Sequence, residues 1–179
     1  MNENLTHQLT VGDRAHRIVA EVLKTGRPQV RSEAAILLTR CGRQVFKEHP
    51  VDYRSRASFL DAVTAAGVYL QRFHPGAGWE LTGTEIVVGQ SRFDLVYGST
   101  SGPIVIDELK LGVGRAGESA VRAQIDRYVD AGRRLWGSNF IGVRLCAVHE
   151  PLQSRLYLPD RHESMLLAEL DLADGLEIR

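Results

Sequence analysis

What this chain lacks narrows the field first. It has only two cysteines, Cys41 and Cys146, far apart and each in apolar surroundings. That excludes a disulfide framework and a four-cysteine metal knuckle, and the pair reads as buried thiols. No apolar run approaches the length of a membrane span, and the opening MNENLTHQLTVGD holds no apolar secretory segment, so a cytoplasmic protein with no membrane partner is expected. Net charge is also missing. With 22 Lys and Arg against 22 Asp and Glu, the formal charge is zero. Phosphate neutralisation carries most nucleic-acid affinity, so this balance argues against a strong free-standing binder. Internal repeats, low-complexity tracts and a phosphate-binding GK[ST] loop are absent as well.

What remains is ordinary for a globular chain: 179 residues, 44% hydrophobic and 25% charged, enough for one domain with a real core. The neutral total hides an uneven distribution. Arg27, Arg31, Arg40, Arg43, Lys47, Arg54 and Arg56 gather in the first third, while Arg122, Arg127, Arg133 and Arg134 decorate a later helix. Acid is denser after Gly76. A local basic face and a plain solvated helix surface are both open readings of these arginines.

Periodicity places the elements. A helix is expected from Gly12 or Asp13 to Lys24, with Asp13 as cap, a stripe of Ala15, Ile18, Val19 and Val22, and His16 at its edge. Ser32 should cap a second, Glu33 to Lys47, with Ala35, Ile36, Leu38, Cys41, Val45 and Phe46 facing inward. A third should run Ser55 to Phe73, burying Phe59, Leu60, Val63, Ala66, Tyr69, Leu70 and Phe73. After the break at 74–78, strands are expected at 79–89, 93–97 and 104–109, then a glycine-rich loop with Gly112, Gly114 and Gly117. A helix from Glu118 to Trp136 follows, with Val121, Gln124, Ile125, Tyr128 and Leu135 on one stripe, then strands at 140–148 and 155–158. The tail from Glu163 reads as a helix or an edge strand. The order predicts an α/β sandwich with a mixed central sheet flanked by helices and a helical N-terminal extension, all in one domain (1–75 helical, 79–158 the sheet core).

The chemistry concentrates in Arg92 to Lys110, RFDLVYGSTSGPIVIDELK, a hairpin of two apolar strands. Side chains alternate along a strand, so Ile104, Ile106, Glu108 and Lys110 share one face. Asp94 on the partner strand lies close enough to join them. Charges leave water only when paired, hydrogen-bonded or bound to metal. Two carboxylates, with the Leu109 backbone carbonyl as a further oxygen, suit Mg²⁺ or Mn²⁺. Lys110 could orient or help deprotonate a water and offset charge on a phosphate. The competing reading is a surface salt bridge at a strand end. Gln124, a turn before Tyr128 within an apolar stripe, needs a buried hydrogen-bond partner: a backbone carbonyl, the Lys110 region or a nucleic-acid strand. Glu85 and Glu21 are second-tier acids, with an exposed strand glutamate the plainer reading of Glu85.

Asp94 with Glu108-Leu109-Lys110 resembles the metal site of the PD-(D/E)XK nucleases. Gln124 to Tyr128 is similar to the QxxxY motif of that superfamily's RecB-type branch, and Gly12 to His16 to its GxxxH motif. The four strings stand in order across residues 12 to 128. The resemblance implies a restriction-endonuclease-like fold and Mg²⁺- or Mn²⁺-dependent hydrolysis of DNA, leaning toward an exonuclease on ends or single strands. It implies metal ligation by Asp94, Glu108 and His16, with Lys110, Gln124 and Tyr128 in the catalytic set. Some RecB-type members carry an iron–sulfur cluster on four cysteines; two cannot supply one. A helicase would be a separate chain. Two other readings stand beside this one: a catalytically inactive subunit of the same fold for nucleic-acid binding or assembly, and a homodimeric endonuclease cutting junctions or RNA.

Overall fold

The computed structural model describes residues 3–25, 31–48, 55–76, 78–112, 118–160 and 164–166. The chain divides into two compact units, Met1–His74 and Pro75–Arg179. Among the described residues, no helix is long and apolar enough to cross a membrane.

The first unit is three helices: α1 (Glu3–Thr25), α2 (Arg31–Glu48) and α3 (Ser55–Arg72). Helix α1 starts about three turns earlier than the sequence suggests, so Asp13 is not a cap but a mid-helix residue in contact with Arg14 at 2.8 Å and Arg17 at 3.4 Å. A glycine weakens a helix interior by about 1 kcal/mol without stopping it, so Gly12 is carried through. Likewise α2 opens at Arg31, which puts Ser32 inside its first turn.

The expected stripe of α1 is buried, and the other two helices keep part of theirs, Cys41 and Val45 on α2 and Ala66 and Tyr69 on α3, with Phe73 buried just beyond. Ala35 and Ile36 face outward, Ile36 being 70% exposed, and Cys41 and Val45 form the inner face of α2. On α3, Leu60 is exposed and the inward stripe is Ala62, Ala65, Ala66 and Tyr69. Small residues let helices approach closely. A Cβ on Gly42 would stand 2.7 Å from Val63 Cγ2. Phe46 and Phe59 seal that contact edge to face, centroids 5.4 Å apart.

The second unit is α/β: a six-stranded mixed sheet in sequential order, β1 (Trp79–Val88), β2 (Ser91–Ser99), β3 (Ile104–Lys110), β4 (Phe140–Ala147), β5 (Arg155–Tyr157) and β6 (Ser164–Leu166). Helix α4 (Glu118–Trp136) links β3 to β4, which makes those two strands parallel while every other pair is antiparallel. The tail thus contributes an edge strand at Ser164–Leu166. The loop glycines Gly114 and Gly117 and the tail beyond Leu166 lie outside the described residues.

Helix α4 packs over β2, β3 and β4. Ile125, Tyr128 and Ala131 join Phe93, Val96, Ile106, Phe140, Val143 and Leu145 in one core. Leu135 does not finish the stripe; it is half exposed. Trp136 takes that place, its ring 6.0 Å from Phe93 and 5.9 Å from Phe140.

One irregularity sets the register that matters. Ile104 faces Phe140, but Val105 faces Gly142, so β4 spends one extra residue there. From that bulge on, Ile106 pairs with Val143, Asp107 with Arg144 and Glu108 with Leu145. Gly142 has φ +152, and a Cβ on it would overlap the Tyr157 carbonyl oxygen of β5. A backbone atom cannot swing aside. Gly142→Ala is therefore expected to destabilise the protein by about 3 kcal/mol, read as a lower urea midpoint in equilibrium unfolding. A loss under 1 kcal/mol would mean that β4 and β5 are not held this tightly.

Candidate functional site

Side-chain alternation on β3 brings Glu108 to the α4 face and Asp107 to the other. The paired register of β2 and β3 ends at Leu95↔Asp107. Beyond it a side chain takes over from the ladder: the Leu109 N–H donates to Asp94 Oδ2 at 3.1 Å. The Lys110 carbonyl accepts from the Val148 N–H at 2.9 Å, on the β4 side. In a strand, the N–H and C=O of one residue point to the same edge, alternating along the chain. The Leu109 carbonyl therefore faces the Asp94 edge, as a third oxygen beside the two carboxylates would have to.

Glu108 is 1% exposed. Its Oε1 accepts from Gln124 Nε2 at 2.9 Å and pairs with the Lys110 ammonium. Gln124 Nε2 also donates to the Tyr128 hydroxyl at 2.8 Å, and that hydroxyl donates to the Arg92 carbonyl. Both amide hydrogens of Gln124 are spent, so the amide is fixed with nitrogen toward the carboxylate. The glutamine within an apolar stripe thus finds its partner in the acid itself, and the chain Glu108–Gln124–Tyr128–Arg92 ties β3 to β2 through α4.

The other carboxylate oxygen, Glu108 Oε2, is buried with no hydrogen-bond partner. An ionised oxygen left that way is costly, and the acidity of Glu108 responds. Burial, then the neighbouring Asp94 charge, push its carboxyl up from 4.5 to about 7, with Lys110 opposing them. Tyr128 is held protonated by burial and by the Glu108 charge, its pKa well above the usual tyrosine range. Lys110 offsets the Glu108 charge through Oε1, and Asp94 lies beside them with the Leu109 N–H on its Oδ2.

The oxygens gathered here are of the kind a divalent cation takes. The fit is specific in chemistry: two carboxylates and a carbonyl are hard oxygen donors of the kind Mg²⁺ and Mn²⁺ take, and Oε2 is the oxygen awaiting a partner. Lys110, 30% exposed on its side chain, is the member of the group that reaches toward solvent.

Asp94, Glu108, Leu109, Lys110, Gln124 and Tyr128 are thus drawn together within the second unit. Glu85, a second-tier candidate, is half-buried rather than plainly exposed. It stands on β1 between the pairs Thr84↔Leu95 and Ile86↔Phe93, across from Asp94, with φ +54 and its Oε2 3.3 Å from Arg92 Nη1. A non-glycine residue in that left-handed region stores strain, which gathers at functional sites. His16 is buried on α1 in the helical unit. Glu21 lies on the same helix in a solvent-facing pair with Lys24 at 2.8 Å.

Sequence reasoning passed over Arg144. It is wholly buried on β4, with Nε 2.6 Å from Asp107 Oδ1 and Nη2 2.5 Å from Asp107 Oδ2. An arginine inside the apolar run Phe140 to Val148 was the available signal, since a buried guanidinium demands an acid. Cys146 follows it, its thiol pushed well up by burial and by Asp107; both cysteines are free and buried. In comparison with known proteins, no family model, no curated protein and no solved structure matches the chain.

Proposed function

We propose that this chain is a metal-dependent nuclease that hydrolyses DNA phosphodiester bonds, with the restriction-endonuclease-like fold and the site pattern of the RecB-type PD-(D/E)XK nucleases. The observation that carries the reading is the orphaned, buried Oε2 of Glu108 beside Asp94 in a group of two acids and one lysine. Bound Mg²⁺ or Mn²⁺ would supply Lewis acidity to a phosphate oxygen and a more acidic water. Asp94 and Glu108 would hold the ion, with the Leu109 carbonyl at the same edge.

The chain's own residues do the rest. Leu109 N–H fixes Asp94, and Gln124 fixes Glu108 through Oε1, which leaves Oε2 as the ligand atom. Tyr128 anchors Gln124 to the β2 backbone, so it acts through the glutamine and positions rather than reacts. Lys110 reaches solvent from the same carboxylate, which suits its ammonium to orienting a water and stabilising charge that builds on the phosphate. The fixed donors need no rearrangement when the charge appears.

The test is cleavage of linear single- and double-stranded DNA, a closed circle and an RNA, with Mg²⁺, Mn²⁺ or EDTA. Metal-dependent cleavage of linear DNA is expected, falling about 10²- to 10³-fold in Lys110→Ala and to background in Glu108→Ala. Absence of cleavage on every substrate with either metal, or cleavage indifferent to both substitutions, defeats the enzyme reading in favour of a binding subunit.

A further inference from the structure

We infer that the outer face of α2 is a binding surface for the phosphate backbone of single-stranded DNA. The inference rests on the nuclease reading, and it answers how a chain of zero net charge retains a polyanionic substrate.

The first observation is a charge partition. Residues 1–74 hold 11 Lys and Arg against 7 Asp and Glu, whereas residues 75–179 hold 11 against 15. The excess positive charge therefore belongs entirely to the helical unit, at +4, and the unit with the carboxylate site carries −4. Two of the four arginines of α4 are engaged locally. Arg122 pairs with Asp126 at 3.0 Å and lies over the Tyr157 ring, and Arg133 pairs with Asp160 at 2.9 Å. A polyanion approaching the second unit meets a net negative body.

The second observation is the placement of the basic residues of α2. Ile36, Arg40, Arg43 and Lys47 follow one another at i, i+4, i+7 and i+11, the spacing of a single stripe on a helix. All four are exposed. The same face forms a shallow concavity, completed by Thr39 and Gln44. Among the described side chains of α2, the one acid is Glu48 at its end, which engages the Gln44 amide. Among the described residues, no ion pair involves Arg40, Arg43 or Lys47.

The row has the dimensions of a strand contact. From Arg40 to Lys47 the helix rises about 10 Å, so three cations stand roughly every 5 Å along a straight line. A phosphodiester backbone matches that density, and arginine forks suit phosphate geometry. The exposed Ile36 and the aliphatic stems beside it offer an apolar surface to bases. That favours a single strand, whose bases are free to turn toward the protein, over a duplex that hides them.

The test uses the full chain in EDTA, which stops cleavage, with a fluorescent 20-nucleotide oligothymidylate titrated from 50 to 200 mM salt. Arg40→Gln/Arg43→Gln/Lys47→Gln alters exposed positions only, and an unchanged melting temperature verifies that the fold persists. The variant is expected to bind at least tenfold more weakly at 100 mM salt, with a slope of log K against log salt shallower by about 2, three phosphates' worth for a single strand. A slope and affinity equal to wild type overturn the assignment. So does equal competition by a polyglutamate peptide of matching charge, which would make the face an acceptor for acidic protein segments. Wild-type cleavage with no α2 effect condemns this surface alone. An α2-dependent slope without cleavage under any metal condition keeps the surface and condemns the nuclease.

Discussion

Glu108→Gln is expected to abolish Mg²⁺ and Mn²⁺ binding while making the metal-free protein more stable at pH 8. The sign follows from the carboxyl. Its acidity shifts from 4.5 to about 7 because burial and Asp94 oppose its charge. A group whose folded-state value is raised favours the fold fully below its unfolded value, and that contribution is lost as pH rises through the folded one. The wild type should therefore lose stability relative to the glutamine variant from about pH 4.5 to 7, by about 3 kcal/mol in all, and the gap should level off above pH 7. Glutamine retains an oxygen for the Gln124 amide and carries no charge for Oε2 to strand. Metal should reverse the comparison: an ion that binds the ionised site would stabilise the wild type once it exceeds its dissociation constant. Urea unfolding at pH 5 and pH 8, with and without Mn²⁺, reads all of this. Mn²⁺ should raise the wild-type midpoint at pH 8, do little at pH 5 and nothing for the variant. A variant that is less stable at pH 8, or that still gains from Mn²⁺, would mean that Glu108 is a satisfied structural acid.

The elements of this chain were legible because their signals are local. Helix α4 and the β2–β3 hairpin announce themselves through 3.6- and 2-residue periods, and the alternation that unites Glu108 with Lys110 follows from the strand alone. The errors fall where a local signal meets a competing surface. Asp13 resembles a cap because aspartate at a helix start is common, yet α1 continues through Gly12. Ile36 and Leu60 look like core by type, but three-helix packing chose the alanines of α3, whose small side chains allow closer approach. The role of Gln124 could be posed from sequence as a demand for a buried partner. That its partner is Glu108 required the register of β3 under α4, a non-local fact. The bulge before Gly142, which sets that register against β4, has no sequence mark beyond the glycine itself.

The ion pair on the reverse face of β3 yields the last large effect. Arg144 and Asp107 are both wholly buried, joined by two bonds and opposite each other in the β3–β4 ladder. Arg144→Met alone would leave a buried aspartate without its guanidinium and should cost about 3–5 kcal/mol. Asp107→Leu with Arg144→Met removes both charges, and apolar replacement of a buried pair is often neutral or stabilising. The double variant should therefore fold at close to wild-type stability. Stability is not all that the pair supplies, however. A slip of one residue between β3 and β4 would turn Glu108 away from Gln124 and bring Asp107 to the helix face. Two apolar residues tolerate that slip, whereas a charged pair fits only one register. The double variant is thus expected to unfold normally and still bind Mn²⁺ at least tenfold more weakly than wild type, measured by calorimetry at pH 8. If its affinity equals that of wild type, the pair only stabilises, and the bulge before Gly142 suffices to hold the site in register.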